Sequence, residues 1–430
     1  MDILVVGAGR VGLLTAACLA EKGHSVACLD ADAARIDLLS KGHIPFCEPL
    51  LPDLVQHTLA NGQLHFTADW AVAMRNPQVV FIAVGSPAAA DGSADLSQVE
   101  AVSADIGRNL RTSLHVVVRT TVPVGTCERV GETVCTYNPT KYGVSLAYNP
   151  EFMREGSAVS DFLHPERVVV GVDCEATAQV MKEVYHWVES PFVITDIRSA
   201  ELIKHAANAF LALKLSYINC IARLCELCGG DIKTVSRGLA MDSRIGPAFL
   251  SPGIGYGGPC IPKDVRAFVR VAESFGYDLK MVKAAEEVND GQRQYVVEMT
   301  IDSVGDLADK TIAVYGLTFK AGTDELAESP AVDVARRLQA QGALVVAYDP
   351  SVTTPRAQLQ GIEIAPGPIE AAVDSDAQLF LTDWPEFKSL DFGRIREVAR
   401  AVRVIDARNM FDRSIMREAG IAYRGIGVAS

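Results

Sequence analysis

The most constraining stretch lies at the start of the chain. Ile3-Leu4-Val5-Val6 is an unbroken apolar run, the pattern of a parallel strand buried on both faces. It leads into Gly7-Ala8-Gly9-Arg10-Val11-Gly12, then a helical pattern over Leu13–Lys22 that stops at Gly23. Ser25–Leu29 reads as a second strand, ending at Asp30. Strand, GxGxxG turn, helix, strand and acid in that order predict a dinucleotide-binding βαβ unit. Gly7 and Gly9 permit the turn and close approach to a pyrophosphate. Gly12 permits close helix packing, and the helix N-terminus supplies partial positive charge. Asp30 can accept the adenine-ribose hydroxyls and repels a 2′-phosphate, which favours NAD over NADP. A glycine turn in a non-binding α/β unit is the plainer alternative.

The alternation continues. Leu50–Asn61 and Leu96–Leu110 read as helices, and Leu64–Thr67, Val79–Val84, His115–Val118 and Val168–Val172 as strands, with an edge at Phe192–Thr195. Ligands of open α/β sheets sit beyond the carboxyl ends of strands. That places Ser86, Pro87 and Thr121 at the cofactor crevice, with helix capping as the simpler role for Thr121. In Tyr148–Gly156, Glu151 and Glu155 are four apart and share a face if the segment makes a helical turn. Paired carboxylates can yield a general base; two solvated glutamates are the alternative.

Ser199–Cys228 has few breakers and a repeating apolar stripe, so it reads as one long helix. Lys204 and Asn208 lie one turn apart on it, either an oxyanion clamp or a solvated pair. Asp231–Gly238 and Asp264–Ser274 read as shorter helices, and Leu279–Val304 as another long one. Strands then restart at Thr311–Tyr315, Leu344–Tyr348, Leu379–Thr382 and Val402–Asp406, with a helix over Ala331–Gln341 and no second GxGxxG. Lys320 and Arg408 follow strand ends and are candidate hands for a phosphorylated substrate. The fold expected is α/β, with two Rossmann-like open-sheet domains joined by a long central helix and a helical middle domain. The boundaries expected are 1–196, 197–303 and 304–430.

Between Gly255 and Asp264 runs Gly-Tyr-Gly-Gly-Pro-Cys-Ile-Pro-Lys-Asp. Glycines allow close approach, prolines fix the loop, and Lys263 can favour a thiolate at Cys260. A tight turn around an inert cysteine is the alternative. The other nine cysteines include Cys225 and Cys228, a lone CxxC-like pair inside the long helix. They read as reduced thiols of a cytoplasmic protein, and no metal site is expected. A net charge of −13 argues against nucleic acid and acidic membranes as partners. No apolar run is long enough to span a bilayer, and the N-terminus enters a strand directly, unlike a signal peptide.

Taken in order, these motifs resemble the UDP-glucose/GDP-mannose 6-dehydrogenase family over nearly the whole chain, from Gly7 to the region of Arg408. Gly257-Gly258-Pro259-Cys260-Ile261-Pro262-Lys263-Asp264 is similar to the family's nucleophile loop. The resemblance implies a four-electron oxidation of a sugar-nucleotide CH2OH to a carboxylate with two NAD, through a thiohemiacetal and a thioester on Cys260. It implies that Lys204 and Asn208 stabilise oxyanions, that Asp264 orients water or assists proton transfer, that Thr121 holds the hydrolytic water and that Glu151 is the base. Glu155 is implied near cofactor and sugar. The implied cofactor set is Gly7, Gly9, Val11, Gly12, Asp30, Arg35, Ser86, Pro87, Thr121, Glu155 and Lys263. The implied substrate set adds Phe152, Met153, Arg244, Phe249, Leu250, Ser251, Gly257, Phe319, Lys320 and Arg408 to Glu151, Glu155, Lys204, Asn208 and Cys260. Arg244-Ile245-Gly246-Pro247 with Phe249-Leu250 looks like the UDP-glucose branch, while Gly322-Thr323-Asp324 resembles the GDP-mannose branch, so GDP-mannose and UDP-N-acetylhexosamines stand as alternative substrates; a homodimer is expected. Ala327, Pro259 and Ala248 depart from the family's usual arginine, serine and lysine; the first implies weaker NAD binding.

Overall fold

The computed structural model describes residues 1–354 and 356–428. The chain divides into two compact units, one of residues 1–207 with 266–276, the other of residues 208–265 with 277 onward.

The first unit is built on eight strands: β1 (Asp2–Val6), β2 (Ser25–Leu29), β3 (Leu64–Thr67), β4 (Val79–Ile82), β5 (Leu114–Val118), β6 (Val144–Tyr148), β7 (Val168–Val172) and β8 (Phe192–Thr195). Their order is β3-β2-β1-β4-β5-β6-β7-β8, parallel throughout except for the β6–β7 pair. Successive side chains of a strand point to opposite faces. Ile3 and Val5 therefore join one apolar cluster with Leu13, Val26 and Phe81, while Leu4 and Val6 join another with Val80 and Ile82. Both faces are covered, which explains the continuous apolar runs. The strand order reverses between β1 and β4, so the carboxyl ends of those two strands form the switch point where ligands bind.

β6 is absent from the sequence reading. Its Val144, Ser145 and Leu146 are only half-buried, so no clean apolar run marks it. It pairs with β5 from Leu114↔Val144 to Val118↔Tyr148 and delivers Asn149 and Pro150 to the same end of the sheet as Thr121.

The second unit has an all-parallel sheet of β9 (Thr311–Tyr315), β10 (Leu344–Tyr348), β11 (Glu363–Ile364), β12 (Ala377–Phe380), β13 (Arg403–Asp406) and β14 (Ala422–Gly425), ordered β11-β10-β9-β12-β13-β14. Its core joins Ile312, Val314 and Ile405 to Val296 and Met299 of the helix Lys280–Val304 and to Ile218 and Ala222 of the helix Ile197–Cys228. That last helix is 32 residues, about 48 Å at the usual rise, and it starts in one unit and ends in the other. No Gly or Pro interrupts it. Gly229, at φ +80°, ends it, with the Gly230 N–H returning to the Cys225 carbonyl.

Candidate active site

In the first unit the glycine turn has three different reasons for its three glycines. Gly7 sits at φ +104°, and a Cβ there would lie 2.7 Å from the Ala83 carbonyl oxygen. A Cβ on Gly12 would lie 1.8 Å from the Gly7 carbonyl oxygen, so the helix Arg10–Glu21 could not pack. A Cβ on Gly9 would meet nothing within 4 Å. Gly9 therefore keeps open the approach to the helix N-terminus, whose first turn carries no acidic residue. These features fit a dinucleotide pyrophosphate.

Asp30 closes this cradle. Its Oδ2 accepts the Ala8 N–H at 2.7 Å and Arg35 Nη1 at 3.1 Å, and its Oδ1 accepts the Asp32 N–H at 2.9 Å. A carboxylate offers about four acceptor positions, so one remains, and the half-exposed Arg35 can release a second. Asp349, the matching acid of the second unit, is spent. Its Oδ2 takes the N–H groups of Leu317 and Thr318, the Thr318 hydroxyl and the Trp384 indole. Its Oδ1 takes the N–H and the hydroxyl of Ser351, so both oxygens are engaged in holding its own turn rather than open to a ribose.

The strand-end loops of the first unit are tied together. The Ser86 hydroxyl donates to the Thr121 carbonyl at 2.8 Å, and the Thr120 hydroxyl donates to the Val84 carbonyl at 2.7 Å. Pro87 is exposed beside Ser86.

Glu151 and Glu155 do not share a helical turn. Residues 149–156 form an irregular loop after β6, and each carboxylate faces a cation instead of the other. Lys204 Nζ donates to Glu151 Oε1 at 3.0 Å and to the Glu151 carbonyl at 2.7 Å, 5.3 Å from the Phe152 ring centre. Glu155 lies 3.9 Å from Arg10, whose guanidinium sits over Phe46. The local N–H groups explain the loop. Glu151 Oε2 takes that of Met153, and the buried Glu48 takes those of Gly156 and Ala158, each at 2.8 Å. Glu48 was not foreseen, and nothing in its spacing announces it.

The long helix presents four buried polar side chains within about two turns: Glu201, Lys204, His205 and Asn208. Lys204 and Asn208 are the two expected from the sequence. Glu201 and His205 repeat the same four-residue spacing on an otherwise apolar face, and that was the available signal. Burial pushes the Glu201 carboxyl up, against the N–H donors of Cys127 and Gly125.

In the second unit Cys260 is exposed, immediately before the helix Ile261–Ser274, where developing negative charge is favoured. Cys18, by contrast, is buried, and burial pushes its thiol up to about 12. Lys263 pairs with Asp264 Oδ1 at 2.8 Å, so its ammonium reaches the loop through that carboxylate. Asn208 Nδ2 donates to Asp264 Oδ2 at 2.6 Å. The loop is packed through its glycines. Cβ atoms on Gly257 and Gly258 would lie 2.3 Å from the Glu328 carbonyl oxygen and 2.7 Å from the Phe319 ring. Asn289, also unforeseen, bonds both the N–H and the carbonyl of Tyr256.

Phe319 therefore touches the thiol loop, and Arg408 donates to the Leu381 carbonyl at 2.7 Å and to the Phe319 carbonyl at 3.5 Å. Burial works against the charge of Arg408, with Asp383 and Asp406 opposing it. Lys320 Nζ lies 5.6 Å from the Phe319 ring centre. Leu250 is buried, and its carbonyl accepts the Ser236 hydroxyl, while Ser251 is exposed. Phe249 adopts φ +62°. Arg244 is exposed and paired with Asp242.

A sheet that cradles a dinucleotide supplies a hydride acceptor, so the class is a nicotinamide-dependent dehydrogenase. Comparison with known proteins narrows this to a family. Residues 1–189 match the NAD binding domain of the UDP-glucose/GDP-mannose dehydrogenase family, 198–291 its central domain and 313–413 its UDP binding domain. The chain belongs to that family, and its cofactor is NAD. It is 42% identical over 435 residues to a UDP-glucose 6-dehydrogenase of Rhizobium meliloti, covering 99% of each chain. It is 40% identical to the UDP-glucose 6-dehydrogenase TuaD of Bacillus subtilis, covering 99% of this chain and 93% of that one. Among solved structures, a UDP-glucose dehydrogenase from Pyrobaculum islandicum superposes with a TM-score of 0.93 at 36% identity, over 100% and 98% of the two chains.

Proposed function

We propose that this enzyme oxidises UDP-glucose to UDP-glucuronate in two successive two-electron steps, with Cys260 as the covalent nucleophile. The observation that carries the reading is an exposed cysteine at a helix N-terminus, on a glycine-packed loop, in a chain that also holds a dinucleotide cradle. Alcohol oxidation alone has no use for a thiol, whereas oxidation of an aldehyde to a carboxylate can proceed through one as a covalent thioester. The names of the relatives at about 40% identity favour UDP-glucose among the family's sugars.

NAD, when bound, accepts the hydride of each oxidation. The chain's own residues do the rest. The Cys260 thiolate adds to the C6 aldehyde, forming a C–S bond and an alkoxide that Asn208 and Lys204 stabilise. Oxidation of that thiohemiacetal leaves a thioester. Water held by Thr121 adds to the thioester carbonyl and gives its proton to Glu151. The C–S bond then breaks with its electron pair returning to sulfur. Phe319, Lys320 and Arg408 hold the nucleotide end.

The same reading takes the chain as three segments, 1–196, 197–303 and 304–430, acting as a cytoplasmic homodimer. None of its ten cysteines is joined in a disulfide, which suits a reducing compartment. Among the described residues no helix is long and apolar enough to cross a membrane.

The test is NADH formed per sugar consumed, measured with UDP-glucose, GDP-mannose and UDP-N-acetylhexosamines. UDP-glucose is expected to give the highest kcat/KM with two NADH per sugar. Preference for another sugar changes the substrate alone. One NADH with free aldehyde released sinks the four-electron reading.

A further inference from the structure

We propose that Glu201 is a positioning residue for thioester hydrolysis, with His205 assisting it; this rests on the four-electron reading above. The loop from Arg119 to Gly125 carries Thr121 out of β5 and into the helix Thr126–Thr136. Glu201 accepts the Gly125 N–H through Oε2 at 2.6 Å and the Cys127 N–H through Oε1 at 2.9 Å. Gly125 is the N-cap of that helix and Cys127 lies in its first turn, where N–H groups have no helical partner. Gly125, at φ +90°, makes the bend that turns them toward the carboxylate. His205 Nε2 bonds the Val122 carbonyl at 2.8 Å, and its ring stacks on Phe268 with centroids 5.6 Å apart. The Thr121 carbonyl is held from the other side by Ser86.

Glu201 and His205 flank Lys204 on the same helix, and Lys204 holds Glu151. A single turn of one rigid element thus sets both the loop carrying the water-holding Thr121 and the glutamate that takes the water's proton. Misplacement of either slows water addition to the thioester, while aldehyde capture and oxidation on Cys260 do not use the water. Glu201 touches neither substrate nor cofactor in this scheme and acts only through the loop.

The decisive variant is Glu201→Gln. Two N–H donors need two acceptors, and a carboxamide offers one oxygen and one further donor. Steady-state kcat is expected to fall about a hundredfold, the scale of an ångström-sized misplacement. The KM for NAD and for UDP-glucose should change little, and a first burst of two NADH per active site should survive. Intact-protein mass spectrometry should then show a sugar-nucleotide acyl adduct on Cys260 that wild type does not accumulate.

Unchanged kcat, or a burst slowed in parallel with kcat and no adduct, overturns the proposal. If Glu201→Gln does not fold, the pair His205→Leu and His205→Gln decides. The leucine variant should accumulate the adduct, and the glutamine variant, which can still donate to Val122, should recover most of the turnover. Equal behaviour of the two overturns the proposal. Wild type that releases aldehyde with one NADH refutes the underlying four-electron reading, and this inference falls with it.

Discussion

Asn208 donates its amide to Asp264 across 2.6 Å, linking the long helix to the first turn of the helix behind Cys260. Asp264 is almost wholly buried, its other oxygen takes Lys263, and its N–H bonds the Cys260 carbonyl. The amide is therefore matched to a buried carboxylate that also pairs with the Lys263 ammonium.

Asn208→Asp should disturb both stability and activity. Two buried carboxylates at this distance cannot both ionise cheaply, so one has its folded-state pKa raised. A raised carboxylate pKa costs stability as pH climbs above the unfolded value of about 4. The Tm deficit against wild type should widen from about pH 5 to about pH 8, as read by thermal melts. A deficit independent of pH would mean that the two carboxylates of the variant do not interact.

Cys260→Ser should keep the first oxidation and lose the second. A serine hydroxyl at neutral pH is a far weaker nucleophile than a thiolate. The expected NADH yield drops from two per sugar to about one, with aldehyde trapped by a hydrazine reagent. The residue is exposed, so Tm should barely move. Two NADH per sugar from the variant would remove Cys260 from the mechanism.

Strands such as Ile3–Val6 and Thr311–Tyr315 were legible because burial on both faces leaves continuous apolar runs, whereas β6, β11 and β14, only partly buried, left none. The glycine cradle was legible because each glycine answers a steric demand. The membership of the site was harder. Glu151 and Glu155 suggested a shared helical face, but their partners, Lys204 and Arg10, lie on helices far away in sequence. Glu48, Glu201 and Asn289 hold backbone N–H groups of loops far from them in the chain. Such contacts leave no periodic trace. The carboxylate of Asp30 was visible, whereas its bond to the Ala8 N–H required the folded turn.

Asp30→Ser should relax cofactor choice. Asp30 now holds Arg35 at 3.1 Å, and its charge opposes a 2′-phosphate. Removing it frees Arg35 to meet that phosphate. The NADP-to-NAD ratio of kcat/KM should rise at least about tenfold, the effect of a single repulsion of about 1.4 kcal/mol. Part of the gain should vanish in the double variant with Arg35→Ala. An unchanged ratio would place Asp30 away from the ribose.

Self-association should depend on one stripe of the long helix. Phe210, Tyr217 and Leu224 are 62%, 55% and 56% exposed, and Leu227 is 83% exposed. The first three recur every seven residues, which on an α-helix drifts by only about 20° per repeat. They therefore line one side, with Cys220, also exposed, among them. Large apolar side chains left in a row on a helix are the surface that the proposed homodimer would bury. In a two-fold dimer each substitution is made twice and faces its own copy or a near neighbour. Tyr217→Glu with Leu224→Glu therefore sets like charges across the contact, at several kcal/mol, weakening association by about a hundredfold or more. Sedimentation velocity across a dilution series should show wild-type dimer and variant monomer. The positions are exposed within one chain, so its Tm at concentrations where wild type is also monomeric should match wild type. A variant that stays dimeric would move the interface off this helix.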